Sequence, residues 1–526
     1  MPLSNLYFNS RKLHINLSAL VIKPIFQTTF LYRTAVLFIL LLPLSVYSQK
    51  TTKIDLVSAN SLEFNKSIGE DVQRLIGSVI MKHDDTYLYC DSAYLHSGSN
   101  NVDAYGNVRI NSTSVEITGQ ALNYDGDTKT AEMHKNVKMT DNQTTLTTEH
   151  LTYNTRSNIG SYFTGGKITD PKNVLTSTIG YYYADDKKFF FKNNVVLVNP
   201  SYTMKSDTLM YNTNTEVSYF YGPTTIVSKE NTIYCENGWY DTKKDIAQFN
   251  KNAHLTNKEQ RLSGDSLYYD RIIGFGKAFH NITVIDTVQN IILKGNYAEY
   301  KEKEGQTMIT KQALLIQNEN GDSLFLHADT LKAFFDSTGT GKTLFAYKHA
   351  KFFKSDLQGI CDSIVYSFKD STISMFVKPM LWTDKNQLSA DTIFIRLSNN
   401  QVKQMFLYTS SFVISKDDSI RFNQVKGKTL IGYFSNNDLK RIDVNGNGET
   451  IYYIRDDKNE LIGVNKAQSD NLIIHVNENK INTITFITKP VATLYPEKDL
   501  SANDTRLKDF IWEESKRPLC KEDVFK

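Results

Sequence analysis

Acidic residues recur along the chain at one position of a repeated phrase. The phrase joins a small residue, an acidic residue and a hydroxyl residue to alternating apolar residues, as in Cys90-Asp-Ser-Ala-Tyr-Leu95. Regularly spaced carboxylates could act as general acids or bases. However, some units replace the acid by residues that cannot do this chemistry: Gln120, Thr178 and Asn296. The position therefore favours hydrogen bonding at a turn, and we predict no catalytic residue and no enzyme.

Two short motifs resemble ligand-binding loops. Gly339-Thr-Gly-Lys-Thr343 resembles a phosphate-binding loop, but Asp336 stands where the first glycine is required and the flanking residues indicate strands. Asp443-Val-Asn-Gly-Asn-Gly448 begins like a calcium loop, but Ile454 stands where the bidentate glutamate is required. We interpret the first motif as a loop between strands and the second as a β-turn.

The cysteines and histidines do not form a metal-binding pattern. Cys90, Cys235 and Cys361 occupy one column of the repeat several units apart, too far for disulfides, and Cys520 is expected to be a free thiol. The 10 histidines are scattered without metal-ligand spacing. We predict no metal and no cofactor.

The acidic position anchors a repeat of 29 residues. The repeat has anchors at Asp91, Gln120, Glu149, Thr178, Asp207, Glu236 and Asp265, and then, with looser spacing, at Asn296, Asp329, Asp362 and Asp391. Apolar residues fill the columns three before and two, four, thirteen and nineteen after the anchor. Small residues fill the column just before the anchor. Asn or Gly dominates the column sixteen after it.

These columns predict the fold. Alternation with a period of two indicates strands, and the small and Asn/Gly columns interrupt the alternation where a strand must bend or bulge. Each unit therefore encodes two bent strands, and successive units stack like a solenoid. The prediction is an all-β, elongated, V-shaped β-jellyroll of mostly antiparallel bent strands with an apolar inner crease.

The register also divides the chain. The repetitive body is predicted over residues 53–435. A break into two bodies near 286–330 stays open as an alternative, because the spacing loosens there. Residues 436–526 lose the register and are predicted to be an irregular C-terminal region that ends in a terminal cap.

The first 48 residues predict a cleavable signal peptide. They contain Arg11, Lys12, Lys23 and Arg33, no acidic residue, and a ten-residue apolar run from Ala35 to Leu44. That run is about half the length of a membrane-spanning helix. Without these residues the net charge of +3 becomes −1, with 56 basic and 57 acidic residues. A nearly neutral chain gives no case for nucleic-acid binding, and its 12% aromatic content excludes a disordered protein.

The phrase Asp-Ser/Thr-Leu-x-Tyr, a turn, and then Gly-Asn-Val, as in Tyr105-Gly-Asn-Val108, resembles the organic-solvent-tolerance (OstA-like) family. This family includes the LptA bridge and the N-terminal domain of the LptD translocon. The resemblance covers about residues 60–435, although this chain is much longer than a simple bridge protein. It implies a periplasmic, outer-membrane-associated protein that carries lipopolysaccharide to the outer membrane. It also implies other bridge or translocon proteins as partners through the end strands, where end-to-end self-association is also open.

The resemblance assigns the inner columns to the acyl chains of lipid A. The predicted lipid-binding residues are Leu122, Tyr124, Met133, Leu151, Tyr153, Tyr182, Phe191, Leu209, Tyr211, Phe220, Tyr240, Phe249, Leu267 and Tyr269. The alternative is a structural or adhesive β-solenoid scaffold, in which the same side chains fill a solid core.

Overall fold

Period-two alternation makes nearly every long segment of the chain a β-strand. The computed structural model describes residues 52–64, 69–113, 115–141, 143–319, 321–336, 341–399, 401–477 and 480–526. The predicted signal peptide over residues 1–48 lies outside these ranges. Residues 52–526 form one compact unit.

The described residues form strands β1 to β34. The first seventeen are β1 Asp55–Ser58, β2 Ser61–Phe64, β3 Val72–His83, β4 Thr86–His96, β5 Asn101–Asn111, β6 Glu116–Asp125, β7 Thr130–Asp141, β8 Thr144–Asn154, β9 Ile159–Tyr162, β10 Gly166–Thr169, β11 Val174–Ser177, β12 Ile179–Tyr183, β13 Lys188–Asn199, β14 Tyr202–Asn212, β15 Val217–Ser228, β16 Thr232–Asp241 and β17 Ile246–Thr256. The others are β18 Gln260–Asp270, β19 Phe275–Asp286, β20 Ile291–Lys301, β21 Gln306–Glu319, β22 Asp322–Phe335, β23 Gly341–Phe353, β24 Gln358–Ser367, β25 Thr372–Phe376, β26 Met380–Thr383, β27 Asn386–Ser389, β28 Thr392–Ser398, β29 Gln401–Lys416, β30 Phe422–Ser435, β31 Asp438–Arg455, β32 Leu461–Asn477, β33 Lys480–Ile487 and β34 Val491–Tyr495.

All strands belong to one antiparallel sheet in which each strand pairs with its neighbours in sequence. Some bent strands are divided completely at the bend into two short ones. For example, β8 pairs with β9 through one part and with β10 through the other. The last strand of the sheet is divided in the same way, because β32 pairs with β33 through one part and with β34 through the other. The predicted all-β, antiparallel stack is confirmed.

The bends lie at the predicted columns. The ladder between β5 and β6 shifts register between Tyr105 and Val108, and Asn107 has a φ of 44°. The Asn107 amide donates to the Asp91 carboxylate at 2.9 Å, so the anchor side chain caps the bend. Positive φ recurs in the same column at Asn136, Gly165, Asn194, Asn252 and Asn281. The predicted hydrogen-bonding role of the anchor column is confirmed at the units where the Asn donates to it.

Each bend divides a strand into two segments. The A-side segment carries the columns three before and nineteen after the anchor, such as Leu88 and Ile110. The B-side segment carries the columns two, four and thirteen after it, such as Leu122 and Tyr124. The inner faces of both segments contribute to one continuous cluster of buried apolar side chains from Ile54 to Ile474. This cluster is the crease, and its mouth lies opposite the bends, where A-side and B-side tips face each other.

For the later part of the chain, the structure decides one open alternative and corrects one expectation. Pairing runs without interruption from β19 to β23, so the ladder has no break near 286–330. Residues 436–526 are not irregular throughout, because β31 and β32 are 18 and 17 residues long. Their length changes the repeat spacing, and this change hides them from a search at 29 residues.

Residues 496–526 form the final segment, named here the strap. It contains short 3₁₀ helices at Glu497–Asp499, Glu514–Lys516 and Lys521–Phe525. The strap runs back across the outer face of the A-side segments, from the turn before β30 to β22 and β23. A short cap was predicted from the sequence, but its path over preceding strands was not.

Candidate functional site: the inner crease

The crease brings the predicted lipid-binding residues together. Those from Leu122 to Phe220 are buried in the cluster, except that Tyr211 is half-buried and packs against it. Phe249 and Leu267 are also buried, and Tyr240 is half-buried against the cluster. Tyr269 is half-buried at the mouth, where its hydroxyl donates to Glu302 at 2.9 Å. The structure thus places all of them on the inner face, and their contact with lipid stays a prediction.

The rungs from β3 to β12, named here the closed rungs, have a mouth spanned by polar contacts. His83 at an A-side tip is hydrogen-bonded through Nδ1 to the Tyr124 hydroxyl on the B-side, at 2.7 Å. Asp84 pairs with Lys129 across the same gap. Further along, the Asp141 carboxylate accepts from the Tyr182 hydroxyl and from Lys187 Nζ, the latter at 2.7 Å.

These contacts occur beside a desolvated interior. Burial raises the pKa of Tyr124 to about 12, so the phenol stays neutral and can form hydrogen bonds with His83. The hydrogen bond from Lys129 lowers the pKa of the Asp84 carboxyl, because the cation stabilises the charged form. Residues 52–54 also lie in this mouth, where Ile54 N donates to the Asn100 side chain at 3.0 Å.

Little empty space remains under the mouth near the end of the closed rungs. A cavity of about 30 Å³ lies between Ile168, Leu175 and Leu197 on the A-side and Phe189, Phe191 and Tyr211 on the B-side. That volume accommodates water but not an acyl chain, since drug-sized ligand pockets are about 300–1,000 Å³. Within the closed rungs themselves Leu122, Leu151 and Tyr153 are each 1% exposed, so these rungs pack as a core.

The rungs from β17 to β21, named here the open rungs, have a different rim. Their floor near the bends stays buried, as at Ala278 and Ile309. Farther from the bends, toward the mouth, the inner-face residues are only half-buried, as at Leu262 and Leu293. The tyrosine four after the anchor is 2% exposed at Tyr124 but 42% exposed at Tyr300. The crease is thus accessible from solvent along the open rungs.

Apolar residues also occupy the tips beside this opening. Ile272 and Ile273 are exposed at a B-side tip, and Val288 is exposed at an A-side tip. The corresponding tips of the closed rungs carry polar residues, such as Asp84 and Lys129. An exposed apolar rim that continues into an apolar crease is typical of a binding site for an apolar ligand.

Several residues at the mouth were missed by reasoning from the sequence. His83, Asp84 and Asp141 lie at strand ends, outside the apolar columns, so no column marked them. Tyr202 on the A-side contacts Tyr240 on the B-side, with ring centroids 6.3 Å apart. A search for polar residues at matched tips of neighbouring units would have found the acidic and basic members of this set.

The two motifs that resemble ligand-binding loops, and the cysteines, do not form a second binding site. The segment from Asp443 to Gly448 is a bulge inside β31, so the predicted β-turn is wrong. Gly341 begins β23, while residues 337–340 lie outside the described ranges. Cys90, Cys235 and Cys361 are buried free thiols, as predicted, and Cys520 is exposed. Within the described ranges, no group of three or more His, Cys, Asp or Glu side chains could hold a metal ion. No helix in those ranges has the length and apolarity needed to span a membrane.

Comparisons with known proteins found a family match within the repetitive body. The family model for OstA-like proteins matches residues 51–207 and 205–265. Residues 51–265 of this chain are thus similar to OstA-like proteins. This OstA-like region contains all of the closed rungs and extends into the open rungs as far as β18.

A solved structure and a search of curated proteins complete these comparisons. The structure is LptH of Pseudomonas aeruginosa, described as the LptA-homologous periplasmic component of the lipopolysaccharide transport device. It matches 22% of this chain and 82% of its own, at 15% identity and a TM-score of 0.20. No curated protein matches the sequence.

Proposed function

We propose that this protein binds the acyl chains of lipopolysaccharide in the inner crease and carries or bridges this lipid toward the outer membrane. The observation that carries the proposal is the continuous apolar crease, with a floor buried along its length and a mouth that opens over β17–β21. We expect acyl chains to enter the crease at the open rungs, where rim side chains such as Tyr300 are exposed.

The energetics of lipid transfer require such a crease. Exposing a 14-carbon acyl chain to water costs on the order of 11 kcal/mol, at about 0.8 kcal/mol per CH₂. A carrier must therefore offer apolar surface along the whole path. The stacked bent strands provide this surface by repetition, since each rung adds two or three inward apolar side chains.

The proposal also includes a cellular location and docking partners. The match of residues 51–265 to OstA-like proteins supports a periplasmic protein exported by the signal peptide over 1–48. The two ends of the sheet support docking to other transport proteins or to a second copy. Open edges favour strand pairing, and exposed apolar residues lie at both ends, including Phe64 on β2 and Leu494 on β34.

Site-specific photocrosslinking in living cells tests the function. A photoreactive phenylalanine analogue replaces Tyr269, which lies on the inner face, or Tyr268, its neighbour on the outer face of β18. We expect a lipopolysaccharide adduct at Tyr269 and little or none at Tyr268. Equal adducts at both positions, or no adduct at Tyr269, would contradict lipid carriage in the crease.

The second candidate is a structural scaffold with a solid core. The tight packing of the closed rungs favours it, because Leu122, Leu151 and Tyr153 are fully buried there. A scaffold predicts that purified protein retains no lipid and that the open rungs bind no amphiphile. Extraction of the purified protein with organic solvent, followed by mass spectrometry, separates the two functions.

A further inference from the structure

The strap occupies a groove whose residues form one row across the sheet. The row crosses the outer face of the A-side segments and consists of Trp382, Gln387, Ile414, Gln424 and Ile451, which are register partners on β26, β27, β29, β30 and β31. Each of these side chains is at most 1% exposed. This row is named the strap groove.

Two buried glutamine side chains of the strap groove form hydrogen bonds with the backbone of the strap. Gln424 Nε2 donates to the carbonyl of Thr505 at 2.9 Å, and its Oε1 accepts from the N–H of Leu507 at 2.8 Å. Gln387 repeats the arrangement six residues later, with the carbonyl of Ile511 at 2.7 Å and the N–H of Glu513 at 2.8 Å. Each glutamine therefore pairs one donor and one acceptor with the strap backbone, while turns at residues 502–505 and 508–509 let the strap follow the groove.

Apolar side chains of the strap fill the spaces along the groove. Leu500 and Leu507 pack against the buried cluster of Ile451, Tyr453 and Val464. The Phe510 ring lies 5.5 Å from the ring of Phe422. Near the other end of the strap, Val524 is completely buried.

Ion pairs also join the strap to the sheet. Arg421 binds the Glu497 carboxylate with two nitrogens, at 2.6 and 2.9 Å. Lys426 Nζ lies 2.9 Å from the Asp509 carboxylate. In the described ranges, side chains hold the strap to the sheet, whereas backbone ladders hold the strands of the sheet together.

We propose that the strap groove is a peptide-docking site and that residues 504–526 are its detachable resident ligand. Two buried amides that bind backbone, alternating with apolar surface, are the chemistry that recognises the main chain and apolar side chains of a peptide. Release of the segment uncovers the strap groove as an apolar surface on the outside of the body. This inference goes beyond the proposed function and does not depend on lipid binding.

Cleavage of the full chain at one engineered site tests the proposal. A protease recognition sequence is inserted in the exposed turn over residues 501–503, and the purified protein is cut there. We expect the fragment to stay bound after cutting and to exchange with a fluorescent synthetic peptide of residues 504–526, as measured by fluorescence anisotropy. The cut body should keep its strand signal in circular dichroism during exchange.

Variants identify the residues that hold the peptide. Gln387→Ala and Gln424→Ala should each weaken peptide binding by about tenfold, because each removes two buried hydrogen bonds. Gln404→Ala on β29, whose amide contacts Arg396 rather than the strap, is the matched control and should bind like the parent. A fragment that never exchanges, a body that unfolds when the fragment leaves, or equal binding by all three variants would overturn the proposal.

Discussion

The closed rungs and the open rungs carry the same column pattern, yet they differ at the mouth. In the closed rungs Tyr124 is buried and hydrogen-bonded to His83, whereas in the open rungs Tyr300 is exposed. The floors of the two regions are alike, because the bend columns keep the A-side and B-side close together there. We infer that the contacts across the mouth, and not the bend, hold the tips of the closed rungs together.

This difference divides the predicted lipid-binding residues. Leu122, Tyr153 and Phe191 lie where the interior is filled, so lipid can reach them only if the mouth opens. Leu267 and Tyr269 lie where the crease is accessible. Under the proposed function, the open rungs are the place where lipid first binds, and the closed rungs are a path that must widen.

The largest expected effect comes from placing a charge on the inner face of each region. Leu151→Asp should destabilise the closed rungs by about 4 kcal/mol or more, because it removes a buried leucine and buries an unpaired carboxylate. Leu293→Asp should cost only about 1–2 kcal/mol, since that side chain is half-exposed in the open rungs. Urea unfolding followed by circular dichroism measures both, and equal losses would remove the distinction between the regions.

A smaller effect is expected when a contact across the mouth is removed. Asp141→Asn should destabilise the protein by about 1–3 kcal/mol, because it weakens the bonds from Tyr182 and Lys187. It should also allow a photocrosslinker at Tyr182 to capture lipid. Asp186→Asn, which removes an exposed pair with Lys188, is the control and should change stability by less than about 0.5 kcal/mol. Unchanged crosslinking would mean that this contact does not limit access.

The smallest effect concerns the pair of Asp84 and Lys129. The pKa of Asp84 is lowered in the folded protein, so its contribution is present above the unfolded value and is lost as pH falls through the folded value. Asp84→Asn should therefore cost about 0.5 kcal/mol at pH 6 and nothing at pH values well below the ordinary pKa of aspartate. Stability differences that persist unchanged in strong acid would show that the pair contributes through packing alone.

The fold was largely predictable because its rules are local. Asn107 and Asn136 mark bends where the backbone needs positive φ, and the alternation of Leu122 and Tyr124 marks an inner face. The strands beyond residue 436 were missed because their spacing changes, although Ser469-Asp-Asn-Leu472 repeats the anchor phrase. A search by phrase rather than by fixed period would have found them.

The mouth and the strap were less accessible to prediction. Tyr153 and Tyr300 are the same residue type in the same column, so their sequence does not reveal how far apart the tips lie. The strap groove did leave a signal, since Phe412-Val-Ile414 and Ile451-Tyr-Tyr-Ile454 are continuous apolar runs. Such runs are typical of strands buried on both faces, and they indicate a covering segment without showing which one.

The pairing of strands with their sequence neighbours has a consequence for how the chain reaches its structure. A ladder of neighbours can grow one rung at a time, because no long loop has to close before a rung gains its contacts. The strap is the exception: the bond between Gln358 and Arg517 joins residues 159 positions apart. Refolding should therefore proceed by local growth of the sheet, and docking of the strap should come last, once β24 to β31 present the complete row.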